Sequence, residues 1–318
     1  MSPIDYQLTG CPVPLVCPRC KAGLAKKSAH LQCVECGQEY PFRDGLPDLI
    51  VGDRYDDDTP ECAVRNEEST NRETTERFWI PLFKKEFPNV ADLTILSLGC
   101  GVGADVDSLS AAGFKAVGID NGKRSAQWLA RRRYPQRLIS GNGKRMPFPD
   151  GAFDAIFCGC VFPHVGVEGV TFHTTPDFYE QRLELARDMA RVLKPGGRIF
   201  SCNPNRFFPF DIFHGHQAGR PVLRPTMPWD RLLLSVADYR RMFSASCSVT
   251  VSPLPVENYW NFTNSRKTLK GRILSAPIRA LFRVVSRIKP LRGSPLNPWL
   301  IVRIEKQYRP AEGMGAMV

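Results

Sequence analysis

The chain has 318 residues, of which 43% are hydrophobic and 24% charged, the composition of an ordinary globular protein with length for one large or two unequal domains. It has no run of about 18 apolar residues, so the sequence predicts no transmembrane segment. Residues 1–6 lack the basic and apolar regions of a secretory signal, and we therefore expect a cytoplasmic protein. The formal net charge is +11.

The first motif is a pair of C-x-x-C knuckles. Cys17 and Cys20 are separated by twelve residues from Cys33 and Cys36. Four thiolates presented from two tight turns are a typical ligand set for structural zinc, and the spacer is long enough for one β-hairpin. The spacing predicts a zinc ribbon over residues 1–51 in which a closed four-cysteine site stabilises the fold.

The stretch from Cys17 to Ile50 ends in Tyr40-Pro-Phe-Arg-Asp-Gly-Leu-Pro-Asp-Leu-Ile50. It resembles the small zinc-ribbon proteins that partner and activate methyltransferases, in which a Y-P-x-x-D-G-x-P-x-L tail follows the second knuckle. All fixed positions of that tail are present here. The resemblance implies a structural metal.

Residues 52–90 are interpreted as a linker followed by a leading helix. Residues 52–77 are polar, with an acidic run at 56–58, and an apolar helical pattern begins at Phe78.

Strand and helix patterns then alternate over residues 91–306, which favours one α/β domain with a doubly wound, mostly parallel sheet. The pattern of residues 153–160 is almost continuously apolar, as in a strand covered on both faces. The predicted strands are 93–98, 116–119, 137–139, 153–160 and 198–202, with helices at 125–133 and 180–193 and an antiparallel pair at 249–251 and 300–304. Residues 307–318 are interpreted as a flexible tail.

The second motif is the glycine-rich loop Gly99-Cys-Gly-Val-Gly103-Ala, which directly follows a predicted strand. Glycines at this point permit a tight turn and close approach of a ligand to the backbone. Gly99, Gly101 and Ala104 also satisfy the G-x-G-x-x-A dinucleotide fingerprint, and Asp120 lies 21 residues after Gly99. The loop alone therefore leaves a nicotinamide enzyme open.

Later motifs separate these alternatives. Asp120, Gly141-Asn-Gly143, Met146-Pro-Phe-Pro-Asp-Gly-Ala-Phe-Asp154 and Leu193-Lys-Pro-Gly-Gly197 follow the loop in order. Over about residues 91–205 this set resembles the class I methyltransferases, which implies a Rossmann-like, seven-stranded sheet and S-adenosylmethionine as cofactor.

The resemblance implies roles for individual residues. The glycine loop would hold the methionine part of the cofactor, Asp120 the ribose and Asn142 the adenine amino group. The family usually has an acid at the position of Ser97 and an aspartate at that of Asn142. The predicted cofactor-binding set is Ser97, Gly99, Cys100, Gly101, Gly103, Asp120, Asn121, Asn142, Gly143 and Cys160.

His164 follows the fourth predicted strand, at the sheet edge where such folds bind ligands, and we interpret it as a candidate catalytic base. A histidine that only bonds the backbone at a helix start is the alternative. Cys158 and Cys160 would suit a thiolate nucleophile, but a cytosine-C5 enzyme has proline directly before that residue, and Gly159 stands here. His173, His214 and His216 are weaker candidates on loops.

The segment 266–292 carries nine lysines and arginines and no acid. Within it, apolar residues recur at spacings of three and four, while Arg279, Arg283 and Arg287 lie four apart, which predicts a basic amphipathic helix with Pro277 near its start. Such a helix can contact an anionic membrane surface or RNA phosphates, or can pack on the sheet with its arginines solvated.

The leading hypothesis is thus methyl transfer to an O, N or C atom of a small-molecule or lipid-linked acceptor, by a cytoplasmic protein that can contact the membrane peripherally. Two alternatives remain open. One is an RNA methyltransferase that uses the ribbon and basic helix to hold rRNA or tRNA. The other is a non-catalytic, cofactor-binding scaffold, motivated by Ser97.

Overall fold

The computed structural model describes residues 10–55, 61–168, 173–211, 214, 216–217, 220–221, 224–227, 229, 231–260 and 269–308. Its main feature is one sheet of eleven strands. In chain order the strands are β1 (Leu24–Lys26), β2 (His30–Cys33), β3 (Glu39–Arg43), β4 (Leu46–Leu49), β5 (Thr94–Leu98), β6 (Lys115–Asp120), β7 (Leu138–Gly141), β8 (Phe153–Gly159), β9 (Leu193–Pro204), β10 (Phe210–Asp211), β11 (His216–Gln217), β12 (Arg220–Pro221), β13 (Arg224–Pro225), β14 (Val249–Pro253) and β15 (Trp299–Lys306).

The strand order is β1-β2-β3-β4-β7-β6-β5-β8-β9-β15-β14, and the last seven positions are the predicted seven-stranded sheet. Strands β7, β6, β5, β8 and β9 are parallel, and β15 and β14 close the edge antiparallel, as predicted. Every residue of β5 is buried, because helices cover both faces of the sheet. The α/β, Rossmann-like prediction is confirmed. The strands β10 to β13 form two separate short pairs.

The helices alternate with the central strands. They are α1 (Glu61–Thr74), α2 (Ile80–Glu86), α3 (Ala104–Ala111), α4 (Arg124–Gln127), α5 (Phe178–Val192), α6 (Val236–Ser244) and α7 (Leu269–Arg287). None of the helices in the described part of the chain is long and apolar enough to cross a membrane. The predicted helix 125–133 is wrong in extent: after α4 only a 3-10 turn, Leu129–Arg131, follows. The backbone N–H groups of Arg133 and Tyr134 donate to the carboxylate of Asp107, on helix α3, instead of to carbonyls of a continuing helix.

Residues 61–74 were predicted as linker but form helix α1, which continues through a π turn, Thr75–Trp79, into α2. Their charged side chains pair with the central domain. Glu68 contacts the buried guanidinium of Arg132, and Glu67 contacts Arg124. Val64 packs with Trp128. The polar composition therefore reflects ion pairs across an interface. The acidic run at 56–58 lies outside the described residues.

The N-terminal strands extend the central sheet. β4 pairs in parallel with β7 through Asp48 and Ser140, and Leu49 and Gly141. Leu31, Tyr40 and Leu49 belong to the same apolar cluster as core residues of the central strands. The predicted ribbon is thus continuous with the α/β domain rather than separate from it.

Pro277 lies in the interior of α7, not near its start as predicted. Residues 266–268 of the basic segment and 309–318 of the predicted tail lie outside the described residues.

Candidate functional site

A cavity of about 620 Å³ lies at the carboxyl ends of β5, β6, β7 and β8. This edge of a parallel sheet, where the connections diverge, is where α/β folds bind ligands. Eight predicted site residues line the cavity, namely Gly99, Gly101, Asp120, Asn121, Asn142, Gly143, Cys160 and His164. The three other predicted cofactor residues, Ser97, Cys100 and Gly103, are buried behind its wall.

The glycine loop exposes its backbone to the cavity. Gly99 and Gly101 have φ angles of +72° and +52°, a conformation that side chains with a Cβ rarely adopt. A Cβ on Gly99 would lie 2.6 Å from Cγ2 of Val161. Gly103, at φ +74°, instead packs against Leu138, where a Cβ would approach both methyl groups at 2.7 Å. The first two glycines therefore shape the cavity, and the third allows helix α3 to begin close to β7.

Asp120 links the loop to the next connection. One carboxylate oxygen accepts the backbone N–H of Gly101 at 2.9 Å, and the other accepts that of Gly122 at 2.7 Å. The carboxylate is thereby fixed at the cavity wall between two turns. A carboxylate held in this way presents a negatively charged acceptor to ligand hydroxyl groups.

The side chain of Asn142 is 3% exposed and is held by Asp53, a residue that no sequence motif marks. Its Nδ2 donates to the carbonyl and to the carboxylate of Asp53, at 3.0 and 3.1 Å, and its Oδ1 accepts the N–H of Lys144 at 2.9 Å. Lys144 Nζ lies 2.7 Å from the same carboxylate. Although burial opposes ionisation of Asp53, the hydrogen bond and charge of Lys144 lower the pKa of that carboxyl group below its ordinary value.

Ser97 occupies the position at which the family usually has an acid, and the structure supplies an acid from another element. Ser97 Oγ donates to the carboxylate of Asp105, in the first turn of α3, and both side chains are buried. Burial raises the pKa of Asp105 to about 6, although the hydrogen bond from Ser97 acts in the opposite direction. Neither residue lines the cavity. Ser97 thus lies behind the glycine loop, and its acidic partner is Asp105, eight residues further along the chain.

The region predicted as linker forms part of the cavity wall. Asp53, Arg54, Tyr55 and Glu67 all line it. The N–H of Tyr55 donates to the carbonyl of Asn121 at 3.3 Å, and Glu67 pairs with Arg124 across the cavity rim. No local motif marks these residues, because their contacts are with side chains far along the chain.

His164 lies in a short 3-10 turn, Phe162–His164, just after β8. Burial, together with the charge of His214, lowers its pKa to about 4, so its imidazole is neutral near neutral pH. The preceding Cys160 has a φ of +54° and donates its N–H to the carbonyl of Cys202 at 2.8 Å. This left-handed residue turns the chain so that the 3-10 turn lies on the cavity wall.

A buried polar cluster lies behind His164. The ring of His214 is 5.3 Å from that of His164, and its Nδ1 lies 2.9 Å from the carboxylate of Asp211, which is fully buried. Arg224 contacts the same carboxylate at 3.0 Å. His214 is a weaker candidate in the sequence because it lies on a loop, although its carboxylate partner is only three residues away.

Cys158 is not placed as a nucleophile. It is 1% exposed and donates to Ser201 Oγ at 3.3 Å, and burial raises its pKa to about 12. The thiol therefore stays protonated and packs in the core.

The four knuckle cysteines converge at the N-terminal end of the chain. The sulfur atoms of Cys17, Cys20, Cys33 and Cys36 all lie within 4.8 Å of one another. The Cys17–Cys36 distance is 3.7 Å and the Cys20–Cys33 distance 3.3 Å. A zinc–sulfur bond of about 2.3 Å in a tetrahedron places the sulfurs about 3.8 Å apart, so the spacing fits a four-thiolate metal site. Tyr40 Oη lies 3.1 Å from Cys17 Sγ and can donate to it.

The central part of the chain is similar in sequence to known methyltransferases. Residues 96–201 match the family model described as "Methyltransferase domain". A cypemycin N-terminal methyltransferase from Streptomyces is 33% identical over 107 residues, which cover 34% of this chain and 40% of that protein. A demethylmenaquinone methyltransferase from Tropheryma whipplei is 33% identical over 123 residues, which cover 36% of this chain and 44% of that protein.

The chain thus spans less than half the length of these curated relatives. Among solved structures, an S-adenosylmethionine-dependent methyltransferase from Mesorhizobium loti aligns with 71% of this chain and 96% of its own, at 16% identity and a TM-score of 0.43. The family match covers the glycine loop, Asp120, Asn142 and His164, which line the cavity, but not the wall residues Asp53, Arg54, Tyr55 and Glu67. Residues 96–201, about a third of the chain, thus match a methyltransferase domain in sequence.

Proposed function

We propose that the protein is an S-adenosylmethionine-dependent methyltransferase that binds its cofactor in the cavity at the carboxyl ends of β5 to β8. The observation that carries the proposal is the convergence of Gly99, Gly101, Asp120 and Asn142 on one cavity within the matched domain. Its volume, about 620 Å³, lies within the range of small-molecule sites. Both loop glycines have positive φ angles, so the loop presents bare backbone to a ligand.

The chain's own residues divide the cavity into parts with different chemistry. Asp120 would hold the ribose hydroxyls, Asn142 with Asp53 the adenine edge, and the backbone of Gly99 and Gly101 the methionine part. When bound, S-adenosylmethionine supplies a methyl group activated on a sulfonium. The protein's task is then to orient the acceptor in line and to receive a proton where the acceptor carries one.

His164 is the proposed proton acceptor. It lines the cavity and its lowered pKa keeps it neutral, so its imidazole can accept a hydrogen bond or a proton from a hydroxyl or amine. The carboxylate of Asp211, which pairs with His214 behind it, partly offsets the burial and the His214 charge that oppose protonation of the imidazole.

The proposed acceptor is a small-molecule or lipid-linked compound. Val161, Val165, Val167 and Leu185 contribute apolar side chains to the cavity, which suits an acceptor with an apolar part. Demethylmenaquinone methyltransferases of several bacteria are among the relatives, which supports this class of acceptor. Another relative is named a cypemycin N-terminal methyltransferase, so the proposal includes an amine acceptor.

We assign structural zinc to the four knuckle cysteines, in line with the predicted ribbon. The ligands are soft thiolates at tetrahedral spacing, and all four coordination positions are filled by protein, so the metal would stabilise the fold and perform no chemistry. About one zinc per chain by elemental analysis is expected, and its absence from protein purified without chelator would contradict the assignment.

The test of the proposed activity is transfer of a labelled methyl group. Purified protein, a cell extract and S-adenosylmethionine with an isotopically labelled methyl group should yield a labelled product that mass spectrometry identifies as a small molecule or lipid. A labelled RNA would replace the acceptor class with the RNA alternative. Cofactor binding without any labelled product would favour the non-catalytic scaffold.

A further inference from the structure

Helix α7 carries an apolar stripe on the side that faces away from the sheet. The exposed fractions are 72% for Leu269, 65% for Ile273, 37% for Leu281 and 48% for Val284, and Ile288, just past the helix, is 47% exposed. These residues recur at multiples of a helical turn, so they lie on one face. We call them the outer stripe. Between Ile273 and Leu281 the same face carries the exposed Pro277. Five exposed aliphatic residues on one face differ from an ordinary surface, where exposed apolar residues are scattered singly.

The opposite face fixes the orientation of the helix. Phe282 and Val285 are buried, and Ser286 Oγ accepts the backbone N–H groups of Val256 and Glu257 at 3.0 and 2.8 Å. The helix is thus anchored to the segment after β14 by apolar packing and by two hydrogen bonds. The sequence left open that the apolar face of this helix packs on the sheet. The structure agrees only in part, because Val285 is buried but Leu281 and Ile288 are exposed.

Basic residues border the outer stripe. Arg279, Arg283, Arg287 and Lys289 are exposed, and the sequence from 266 to 292 contains no acid. An acid from another element, Glu257, contacts Arg283 at 3.3 Å. The combination is an outward apolar stripe with a positive edge.

We propose that α7 is a membrane-surface helix that inserts its outer stripe between the headgroups of an anionic phospholipid bilayer. Charge complementarity selects the occupant: the arginines match lipid phosphates, while the aliphatic side chains gain by entering the acyl boundary. RNA would satisfy the arginines but would leave five aliphatic side chains in water. A second copy of this chain would bring one positive edge close to another. The proposal does not depend on the methyltransferase activity.

The experiment is co-sedimentation of the full chain with unilamellar vesicles. We expect the protein to pellet with vesicles of equal parts phosphatidylcholine and phosphatidylglycerol, to stay in solution with phosphatidylcholine alone, and to be released by added sodium chloride. The double variant Arg279→Gln/Arg287→Gln should lose about fivefold in affinity per charge removed. Its matched control is Arg240→Gln/Arg241→Gln, which removes two exposed charges from α6 and should bind like the parental chain.

A second variant separates insertion from charge attraction. Ile273→Gln/Val284→Gln keeps the charge and improves helix propensity, and it should weaken vesicle binding roughly tenfold or more. Its control is Met227→Gln/Leu296→Gln, at positions that are 44% and 57% exposed. All four variants lie on the surface, and an unchanged thermal midpoint verifies that they fold.

Any one of the following results would overturn the proposal. One is failure of the parental chain to pellet with the anionic vesicles, or equal binding by the helix variants and their controls. Another is binding of an RNA duplex that depends on the arginines but not on Ile273 and Val284, without vesicle binding. The third is a dimer in sedimentation velocity that Ile273→Gln/Val284→Gln dissociates.

Discussion

Replacement of Asp120 by asparagine tests the cofactor site at its best-defined point. Each carboxylate oxygen accepts one backbone N–H, from Gly101 at 2.9 Å and from Gly122 at 2.7 Å. An asparagine has one accepting oxygen, so its NH₂ group must face one of these donors. One N–H then loses its partner, and the negative charge that would bind the ribose hydroxyls is removed.

The expected magnitude follows from these contacts. A hydrogen bond to a charged group contributes about 1.5–3 kcal/mol, so affinity for S-adenosylmethionine should fall roughly 10- to 150-fold. Isothermal titration calorimetry with S-adenosylhomocysteine measures the loss. Asp92→Asn is the matched control, because this exposed carboxylate pairs with Lys115, far from the cavity. A dissociation constant for Asp120→Asn within about twofold of the parental value would refute the assigned role of the carboxylate.

Three further predictions concern the parts that support the site. Gly103→Ala should destabilise the fold by about 2 kcal/mol or more, because a Cβ there would meet Leu138 at 2.7 Å at a φ of +74°; an unchanged thermal midpoint would contradict this. Cys33→Ser should remove the bound zinc and lower the thermal midpoint, and full retention of zinc by elemental analysis would count against the metal site. Asp105 has a folded pKa near 6, above its unfolded value of 3.8, so the parental chain should lose up to about 3 kcal/mol at this site as the pH rises from about 4 to 6. Asp105→Asn should abolish that part of the pH dependence of the thermal midpoint, and an unaltered pH profile would show that Asp105 does not titrate as described.

The sequence predicted the parts of the site that local pattern controls. The loop glycines, Asp120 and Asn142 each follow an apolar strand, and parallel strands bring their carboxyl ends to one edge, so all of them meet at one cavity. The mostly parallel central sheet was predicted from the same alternation of apolar runs, whereas its strand order was not.

The parts that the sequence did not predict depend on contacts between distant residues. Residues 61–74 have a linker composition, but Glu67 and Glu68 pair with Arg124 and Arg132, some 60 residues away. These partners convert charged residues into an ordered helix over the cavity. Likewise, nothing in the two knuckles indicates that β4 would join β7, because strand pairing depends on the edge that the central sheet leaves available.

Ser97 stands where the family usually has an acid, and its buried partner Asp105 explains what replaces that acid. Ser97 suggested a weakened cofactor site, and hence a non-catalytic scaffold. In the structure the side chain donates to Asp105, and neither group faces the cavity. The departure from the family pattern therefore changes how the loop is supported and leaves the residues that line the cavity in place.

Equilibrium binding to the full chain tests whether this cavity binds S-adenosylmethionine. We expect a single saturable site for S-adenosylmethionine and for S-adenosylhomocysteine, with no binding of a nicotinamide dinucleotide. Failure to saturate with either compound, or tighter binding of the dinucleotide, would contradict this expectation.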